Sequence, residues 1–151
     1  MAVKRSAALV LASFVTLALF ATACSSVSAP DHVTIDGHRI DLVAVADNET
    51  ERSRGLQDRE RLGPDEGMLF VWDDAAPRPF AIKDVDYALD VIFIAEDGRV
   101  TEVLPLAPDG PFEASGTLPA RWVVEVEAGW ADRHSVGPES VTDLARSDSG
   151  D

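Results

Sequence analysis

The sequence predicts a mainly β domain, built as a compact antiparallel β sandwich or barrel with one or two short helices. Many segments of strand length are rich in Val, Ile and Phe, and turn-forming pairs such as Asp-Gly separate several of them. Few stretches show the 3.6-residue period of a helix. Hydrophobic residues make up 46% of the 151-residue chain, which is sufficient for a single core.

Two hairpins are predicted from Asp-Gly pairs, because these residues adopt the positive φ angles that a tight turn requires. Asp36 and Gly37 join predicted strands at residues 33–35 and 39–46, and a second Asp-Gly pair at 97–98 joins residues 89–95 to 99–104. Both alternating faces of residues 89–94 are apolar. This pattern predicts a central strand that is buried on both sides.

A strand at residues 121–127 is predicted to have one wetter face, because Trp122, Val124 and Val126 alternate with more polar neighbours. Asn48, followed by Glu51, predicts the start of a short helix that ends near Arg54. The remaining predictions are strands at 67–72 and 80–83, a Pro/Gly-rich loop at 105–119, a helical turn at 129–134 and a last short element at 136–144.

The first 23 residues have the layout of a secretory signal peptide: Lys4 and Arg5, an apolar run at 6–20, and small residues before Cys24. A Cys at this place is typical of bacterial lipoproteins, in which it carries the lipid and becomes the first mature residue. Cys24 is the only cysteine, which excludes an internal disulfide. Two alternatives remain: ordinary signal peptidase cleavage, and an uncleaved run at 6–23 as a membrane anchor.

The predicted organisation has four parts. A signal peptide at 1–23 precedes a lipidated flexible tether at 24–31, a single β-rich domain at 32–144 and a disordered acidic tail at 145–151. We therefore expect an exported protein, attached by the lipid on Cys24 to the outer face of the cell membrane or elsewhere in the bacterial envelope.

The charge argues against nucleic-acid binding, which depends on Lys and Arg neutralising phosphates. The net charge is −14, and it becomes −16 when Lys4 and Arg5 leave with the signal peptide. No metal site is predicted, because the three histidines are scattered and there is no second cysteine. No cofactor and no nucleophilic catalysis are predicted either, since the chain has neither a phosphate-binding glycine loop nor a Gly-x-Ser-x-Gly turn.

Lys83 and Asp90 form the most suggestive polar pair. Lys83 is the only lysine after the leader, and Asp90 shares a predicted strand face with Ile92. A buried carboxylate must be paired or hydrogen-bonded, so Lys83 or Arg54 is the expected partner. The functional interpretation is a small charged pocket for a carboxylate or polar metabolite. The structural interpretation, which we favour, is an ion pair that fixes the strand register.

Three further residues are candidates for binding. Arg54 lies beside Gly55 and is able to present its guanidinium to an anion, although coverage of the rim is the simpler interpretation. Glu125 is expected to be solvated or salt-bridged, and it is of functional interest only if it converges on Lys83. Trp130 is the candidate for an exposed aromatic platform for a sugar, whereas Trp122 is expected in the core.

Four runs together resemble the family called domain of unknown function 192: Glu-Arg-Ser-Arg-Gly-Leu at 51–56, Gly-Met-Leu-Phe-Val at 67–71, Leu-Asp-Val-Ile-Phe-Ile at 89–94 and Val-Glu-Val-Glu-Ala-Gly at 124–129. The resemblance covers residues 33–141. It implies a compact β-rich fold of jelly-roll type, frequent export in bacteria and no settled activity.

This sequence departs from the family pattern at several positions. Gln57 stands where members usually have Met, and Ala88 stands where they usually have Pro. Residues 80–85 read Phe-Ala-Ile-Lys-Asp-Val, where members commonly have Phe-Trp-Met-Lys-Asn-Thr. If those family side chains line a ligand pocket, this member has altered or lost it.

Three hypotheses about function follow. The first, which we favour because no catalytic group of residues is found, is a non-enzymatic envelope lipoprotein whose β domain binds a small ligand or another envelope protein. The second is an enzyme or small-molecule site centred on Lys83, Asp90 and Arg54, which would converge in a concave pocket. The third is a structural interaction module with residues 105–119 as its contact surface. No oligomeric state is predicted.

Overall fold

The structure is a computed structural model that describes residues 29–145. The predicted signal peptide, Cys24 and residues 146–151 of the predicted tail lie outside the described residues. Between residues 29 and 145, no helix is both long enough and apolar enough to cross a membrane.

The described residues form eight strands and two short helices, which confirms the mainly β prediction. In chain order they are β1 (His32–Ile35), β2 (His38–Ala46), α1 (Glu49–Arg54), β3 (Glu66–Ala76), β4 (Pro79–Ala81), β5 (Leu89–Ile94), β6 (Val100–Leu106), β7 (Glu113–Ser115), β8 (Ala120–Glu127) and α2 (Trp130–His134).

Six strands form one sheet in the order β1-β2-β3-β8-β5-β6, and β4 pairs with β7 in a separate two-stranded sheet. β2 and β3 are parallel, whereas the other pairs are antiparallel. The fold therefore differs from the prediction in two ways: its main sheet is mixed, and this sheet does not close into a barrel. The long connection through α1 allows the parallel pairing, because a tight turn joins only antiparallel strands.

The local turn and capping predictions are confirmed. Asp36 (φ 48°) and Gly37 (φ 85°) both have positive φ angles and join β1 to β2, and Gly98 (φ 83°) lies in the turn between β5 and β6. At the start of α1, the Asn48 side-chain oxygen accepts a hydrogen bond of 3.1 Å from the backbone N–H of Glu51. The helix ends at Arg54, as predicted, and Gly55 is its C-cap.

The main sheet buries side chains on both of its faces. The first core, around Ile92, Val124 and Trp130, lies on one face, and the second core, around Phe70 and Phe93, lies on the other. β5 is buried on both faces, as predicted.

The wetter face predicted for β8 is wrong. Val123 is fully buried and Glu125 is 5% exposed, because the second core covers this face of β8.

The predicted loop at 105–119 and the predicted last element at 136–144 also differ in part from the structure. Residues 105–119 are not only a loop, because they contain the end of β6 and the strand β7, which pairs with β4. Residues 136–144 contribute no strand of their own and make isolated bridges, Ile35 with Thr142 and Arg99 with Val141.

Gly67 in β3 gives a test of this packing. A Cβ atom added at Gly67 would lie 2.8 Å from Cγ2 of Ile40 and 2.9 Å from the carbonyl oxygen of Glu125. We expect Gly67→Ala to lower the free energy of unfolding by about 1–3 kcal/mol, the usual cost of overpacking. Gly137→Ala is the matched control, since no atom lies within 4 Å of its added Cβ. Urea unfolding compares the two, and equal stabilities would contradict the close approach of β2, β3 and β8.

Candidate functional site

A cavity of about 410 Å³ lies between α1, the segment at residues 77–85 and the face of the main sheet that carries the second core. The sheet contributes Phe70, Trp72, Leu89 and Glu125 to its lining. Cavities of this volume are in the range that holds small molecules.

Hydrogen bonds from two arginines hold the walls of the cavity in place. In α1, Nη1 of Arg52 donates to the carbonyl oxygen of Val71 over 2.8 Å. On the opposite wall, Nη2 of Arg78 donates to the carbonyl of Asp74 (2.6 Å) and to its carboxylate (2.9 Å). Nε of Arg78 donates to the carbonyl oxygen of Ala120 over 3.3 Å. Both arginines are thereby tied to the main sheet.

The aromatic wall is centred on Phe80. Its ring lies edge-on to the rings of Phe70, Trp72 and Phe93, with centroid distances of 5.0, 6.1 and 5.8 Å. The guanidinium groups of Arg52 and Arg78 lie over the Trp72 ring, at 5.3 and 4.6 Å from its centroid. Such cation–π contacts orient the indole.

Glu125 is the buried acid of the cavity. Its backbone lies opposite Met68 of β3 and Val91 of β5, and its side chain is among the apolar residues of the second core. Within residues 29–145, no hydrogen bond or ion pair reaches its carboxyl group. Burial raises the pKa of Glu125 from 4.5 to about 8. The carboxyl group is therefore mostly protonated at neutral pH, and it is able to donate a hydrogen bond.

The cations of the cavity differ in how they are paired. Arg52 lies 3.6 Å from the carboxylate of Glu49, and Arg54 lies 3.7 Å from that of Asp58. Lys83 is exposed, and it makes no hydrogen bond or ion pair in the described part of the chain. The same cavity thus contains two ionisable groups without a protein partner, Glu125 and Lys83.

The structure brings together three of the predicted residues, since Arg54, Lys83 and Glu125 all line the cavity. It does not bring Asp90 to them. Asp90 lies on the other face of β5, where its carboxylate accepts a hydrogen bond of 3.0 Å from the backbone N–H of Ala131. It lines a separate, more open depression of about 500 Å³.

The predicted pairing of Asp90 with Lys83 or Arg54 is therefore wrong. Successive residues of a strand point to opposite faces of the sheet, so Leu89 contacts the cavity and Asp90 does not.

Two other site predictions are corrected. Trp130 is fully buried in the first core, and its indole N–H donates to the carboxylate of Asp65 over 3.2 Å. It therefore offers no exposed platform for a sugar. Glu125 is buried rather than solvated, since its strand lies inside the sheet. Trp122 is in the core, as expected.

Among the lining residues that sequence reasoning missed are the four that build the aromatic and cation–π wall, Arg52, Trp72, Arg78 and Phe80. The alternation of Met68, Phe70 and Trp72 along one strand is a signal that Trp72 shares the face of the second core. No comparable signal identifies Arg78, which is placed by the long-range pairing of β4 and β7. In residues 29–145 no group of three or more His, Cys, Asp or Glu side chains lies close enough to hold a metal ion.

The buried carboxyl of Glu125 predicts how stability depends on pH. Its pKa is higher in the folded protein, about 8, than the ordinary value of 4.5. The folded state thus binds this proton more tightly, and the stabilisation is complete below pH 4.5. It falls by about 1.4 kcal/mol per pH unit up to about pH 8 and is constant above it.

Glu125→Gln removes this titration while keeping a similar shape. We expect the stability of the variant, relative to the parent, to rise between pH 4.5 and pH 8, as measured by urea unfolding across that range. The matched control is Glu60→Gln at an exposed position, which keeps the pH dependence of the parent. Parallel pH profiles for Glu125→Gln and the parent would contradict the burial of this group.

Asp90 and Lys83 should differ in their effect on stability. Asp90→Ala leaves the buried N–H of Ala131 without its acceptor, so we expect a loss of about 1–3 kcal/mol. Lys83→Ala removes an exposed side chain that has no protein partner, and we expect a change within about 0.5 kcal/mol. Chemical unfolding of the two variants checks this, and a larger loss for Lys83→Ala would show that Lys83 has a structural contact.

Comparisons with known proteins agree with the predicted resemblance. The model of the DUF192 family, described as an uncharacterized ACR, matches residues 31–143. A comparison with curated proteins gives no match.

Two solved structures have the same fold, each with a TM-score of 0.65, 28% sequence identity and coverage of 74% of this chain. One is a proposed transcription regulator from Sinorhizobium meliloti 1021, of which 90% is covered. The other is a protein of unknown function from Novosphingobium aromaticivorans DSM 12444, of which 82% is covered. The family match spans most of the chain, and this protein therefore belongs to the DUF192 family.

Proposed function

We propose that this domain binds a small organic ligand in the cavity between α1, β4 and the main sheet. The observation that carries the proposal is that Glu125 and Lys83, both without a protein partner in residues 29–145, line one cavity. Glu125 is only 5% exposed and its carboxyl group has no hydrogen bond from the described residues, so it is free to bond to a molecule in the cavity. A ligand that bonds to the carboxyl group accounts for its retention at this place.

The chemical character of the lining supports a ligand of mixed polarity. Aromatic, aliphatic and proline side chains form about half of the lining, and polar and charged side chains form most of the rest. Small-molecule sites commonly have this composition, in which apolar contacts supply affinity and the polar groups fix orientation. Lys83 and Arg54 are exposed and positively charged, so they favour a negatively charged group on the ligand.

The positions at which this chain departs from the family pattern also support a ligand site. Gln57, Ala81, Ile82 and Val85 all line the cavity. The family pattern commonly has larger Trp and Met side chains at the positions of Ala81 and Ile82. Four of the six departures thus line one cavity, whereas Asp84 and Ala88 do not. Differences at a shared site are the expected result where relatives bind different ligands on one fold.

A nucleic-acid role is not part of this proposal, although one solved relative is described as a proposed transcription regulator. The chain has 27 acidic residues against 13 basic ones, for a net charge of −14. Nucleic-acid binding requires clustered Lys and Arg that neutralise phosphates.

We also propose that the mature protein is exported and carries a lipid on Cys24. The support is the charged start, the apolar run and the small residues that precede this single cysteine. A tether at residues 24–31 spans at most about 28 Å when extended. It would keep the ligand-binding domain close to the membrane surface.

Ligand binding is tested by a screen of small metabolites against the mature protein, followed by NMR shift mapping. We expect small organic anions to shift signals of residues that line the cavity. Lys83→Ala should weaken their binding by about threefold to tenfold, because it removes an unpaired cation. Arg39→Ala, at an exposed arginine of β2 outside the cavity, is the matched control and should bind as the parent does. Shifts confined to other surfaces would contradict the proposal.

The lipid anchor is tested separately by mass spectrometry of the mature amino terminus. We expect the chain to begin at an acylated Cys24, and we expect Cys24→Ser to abolish both the acylation and the membrane association. An intact Met1, or a mature chain with an unmodified Cys24, would contradict the lipoprotein assignment.

A further inference from the structure

We infer that the ligand is a small organic carboxylate with a neutral hydrogen-bond acceptor at its opposite end. Its carboxylate lies at Lys83 at the mouth of the cavity, and its acceptor receives a hydrogen bond from the buried carboxyl group of Glu125. An apolar middle contacts the aromatic wall. This inference rests on the proposed function, because it assigns a chemical class to the ligand of the same cavity.

Glu125 and its neighbours determine which chemical group of the ligand fits at the inner end of the cavity. From β3 and β5, the neighbouring residues are the apolar Met68, Leu89 and Val91. The segment before β5 brings Tyr87, whose hydroxyl accepts a hydrogen bond of 3.3 Å from the backbone N–H of Leu62. Burial raises the pKa of Tyr87 above 10, so the phenol stays neutral over the range that concerns Glu125.

The charged groups of the cavity do not hold Glu125 in its ionised form. Arg52 and Arg54 of α1, Arg78, and Lys83 line the same cavity, but burial alone accounts for the raised pKa of Glu125. The carboxyl group is consequently protonated at neutral pH and offers a hydrogen atom to the cavity. A neutral oxygen acceptor on the ligand completes that bond without bringing a charge into the interior.

The mouth of the cavity favours a single negative charge. Arg52 and Arg78 lie over Trp72 and donate to backbone carbonyl groups, so they build the wall rather than offer free charge. Arg54 faces Asp58. Lys83 remains as the one lining cation without a protein partner in the described residues. One unpaired ammonium group matches a carboxylate better than a doubly charged phosphate.

Much of the remaining lining is apolar. The side chains of Phe70, Trp72 and Phe80 meet there in edge-on and stacked contacts. Ile82 and Val85 add aliphatic surface. A ligand with a hydrocarbon or ring-shaped middle buries apolar area against these residues, which supplies most of the affinity.

The affinity for such a ligand is expected to fall as the pH rises. A ligand that accepts a hydrogen bond from the protonated carboxyl of Glu125 binds fully below the pKa of about 8 and about tenfold more weakly for each pH unit above it. A ligand that presents an ammonium group to Glu125 would behave in the opposite way, because it needs the ionised form.

The experiment uses the mature protein and four matched probes. 4-Acetylbenzoate has both features, methyl 4-acetylbenzoate lacks the charge, 4-isopropylbenzoate lacks the acceptor, and 4-(aminomethyl)benzoate has an ammonium group in its place. Affinities are measured by NMR titration at pH about 7 and about 9, on either side of the pKa. We expect 4-acetylbenzoate to bind at least about tenfold more tightly than the other three at the lower pH. Its affinity should fall about tenfold at the higher pH.

Glu125→Gln distinguishes a binding role from a structural one. The amide keeps a hydrogen-bond donor but does not ionise, so we expect affinity within about threefold of the parent at the lower pH. We expect no loss of affinity at the higher pH. Lys83→Ala should remove the preference for 4-acetylbenzoate over its methyl ester.

The outcomes separate the inference from the proposed function. Preference for 4-(aminomethyl)benzoate, with affinity that rises at higher pH, would overturn the inference and leave a ligand-binding cavity intact. The same holds if Glu125→Gln keeps the pH dependence of the parent, or if only ligands of another class bind in the cavity. If neither the four probes nor any member of the metabolite screen contacts the cavity, both proposals fail.

Discussion

The position of β8 between β3 and β5 is the constraint on which the rest of the structure depends. Both edges of β8 are hydrogen-bonded within the sheet, and both of its faces are covered. Trp122 and Val124 pack in the first core, and Val123 packs in the second. Glu125 is the one acidic residue of this strand that is buried. Its burial follows from the central place of β8 together with the second core that covers this face, and the raised pKa follows from its burial.

How much of the fold could be predicted depends on how local each interaction is. The turn at Asp36 and Gly37 and the cap at Asn48 are determined by neighbouring residues, and both are present as predicted. The parallel pairing of β2 with β3 and the central place of β8 join residues far apart in the chain. The spacing of apolar residues along the chain does not indicate which strands pair with each other. The burial of both faces of β8 could therefore not be predicted from the sequence.

The same distinction explains the outcome for the site. Charge and residue type were enough to select Arg54, Lys83 and Glu125, which the fold brings into one cavity. Asp90 was assigned to the wrong partner, because its orientation relative to Lys83 depends on which face of the sheet β4 covers. Trp130 was expected to be an exposed platform because it follows Gly129, whereas α2 turns its indole into the first core.

The two sides of the cavity are supported by different parts of the structure. The sheet holds Glu125, and it is braced by strand pairing on both sides, so its position tolerates little change. The segment at residues 77–85 is held mainly by three pairs between β4 and β7 and by the hydrogen bonds of Arg78. Ala81 and Ile82, two of the positions at which the sequence departs from the expected family pattern, lie on this segment. Exchanges there alter the space inside the cavity without disturbing the buried carboxyl group, because the two belong to separately supported parts of the structure.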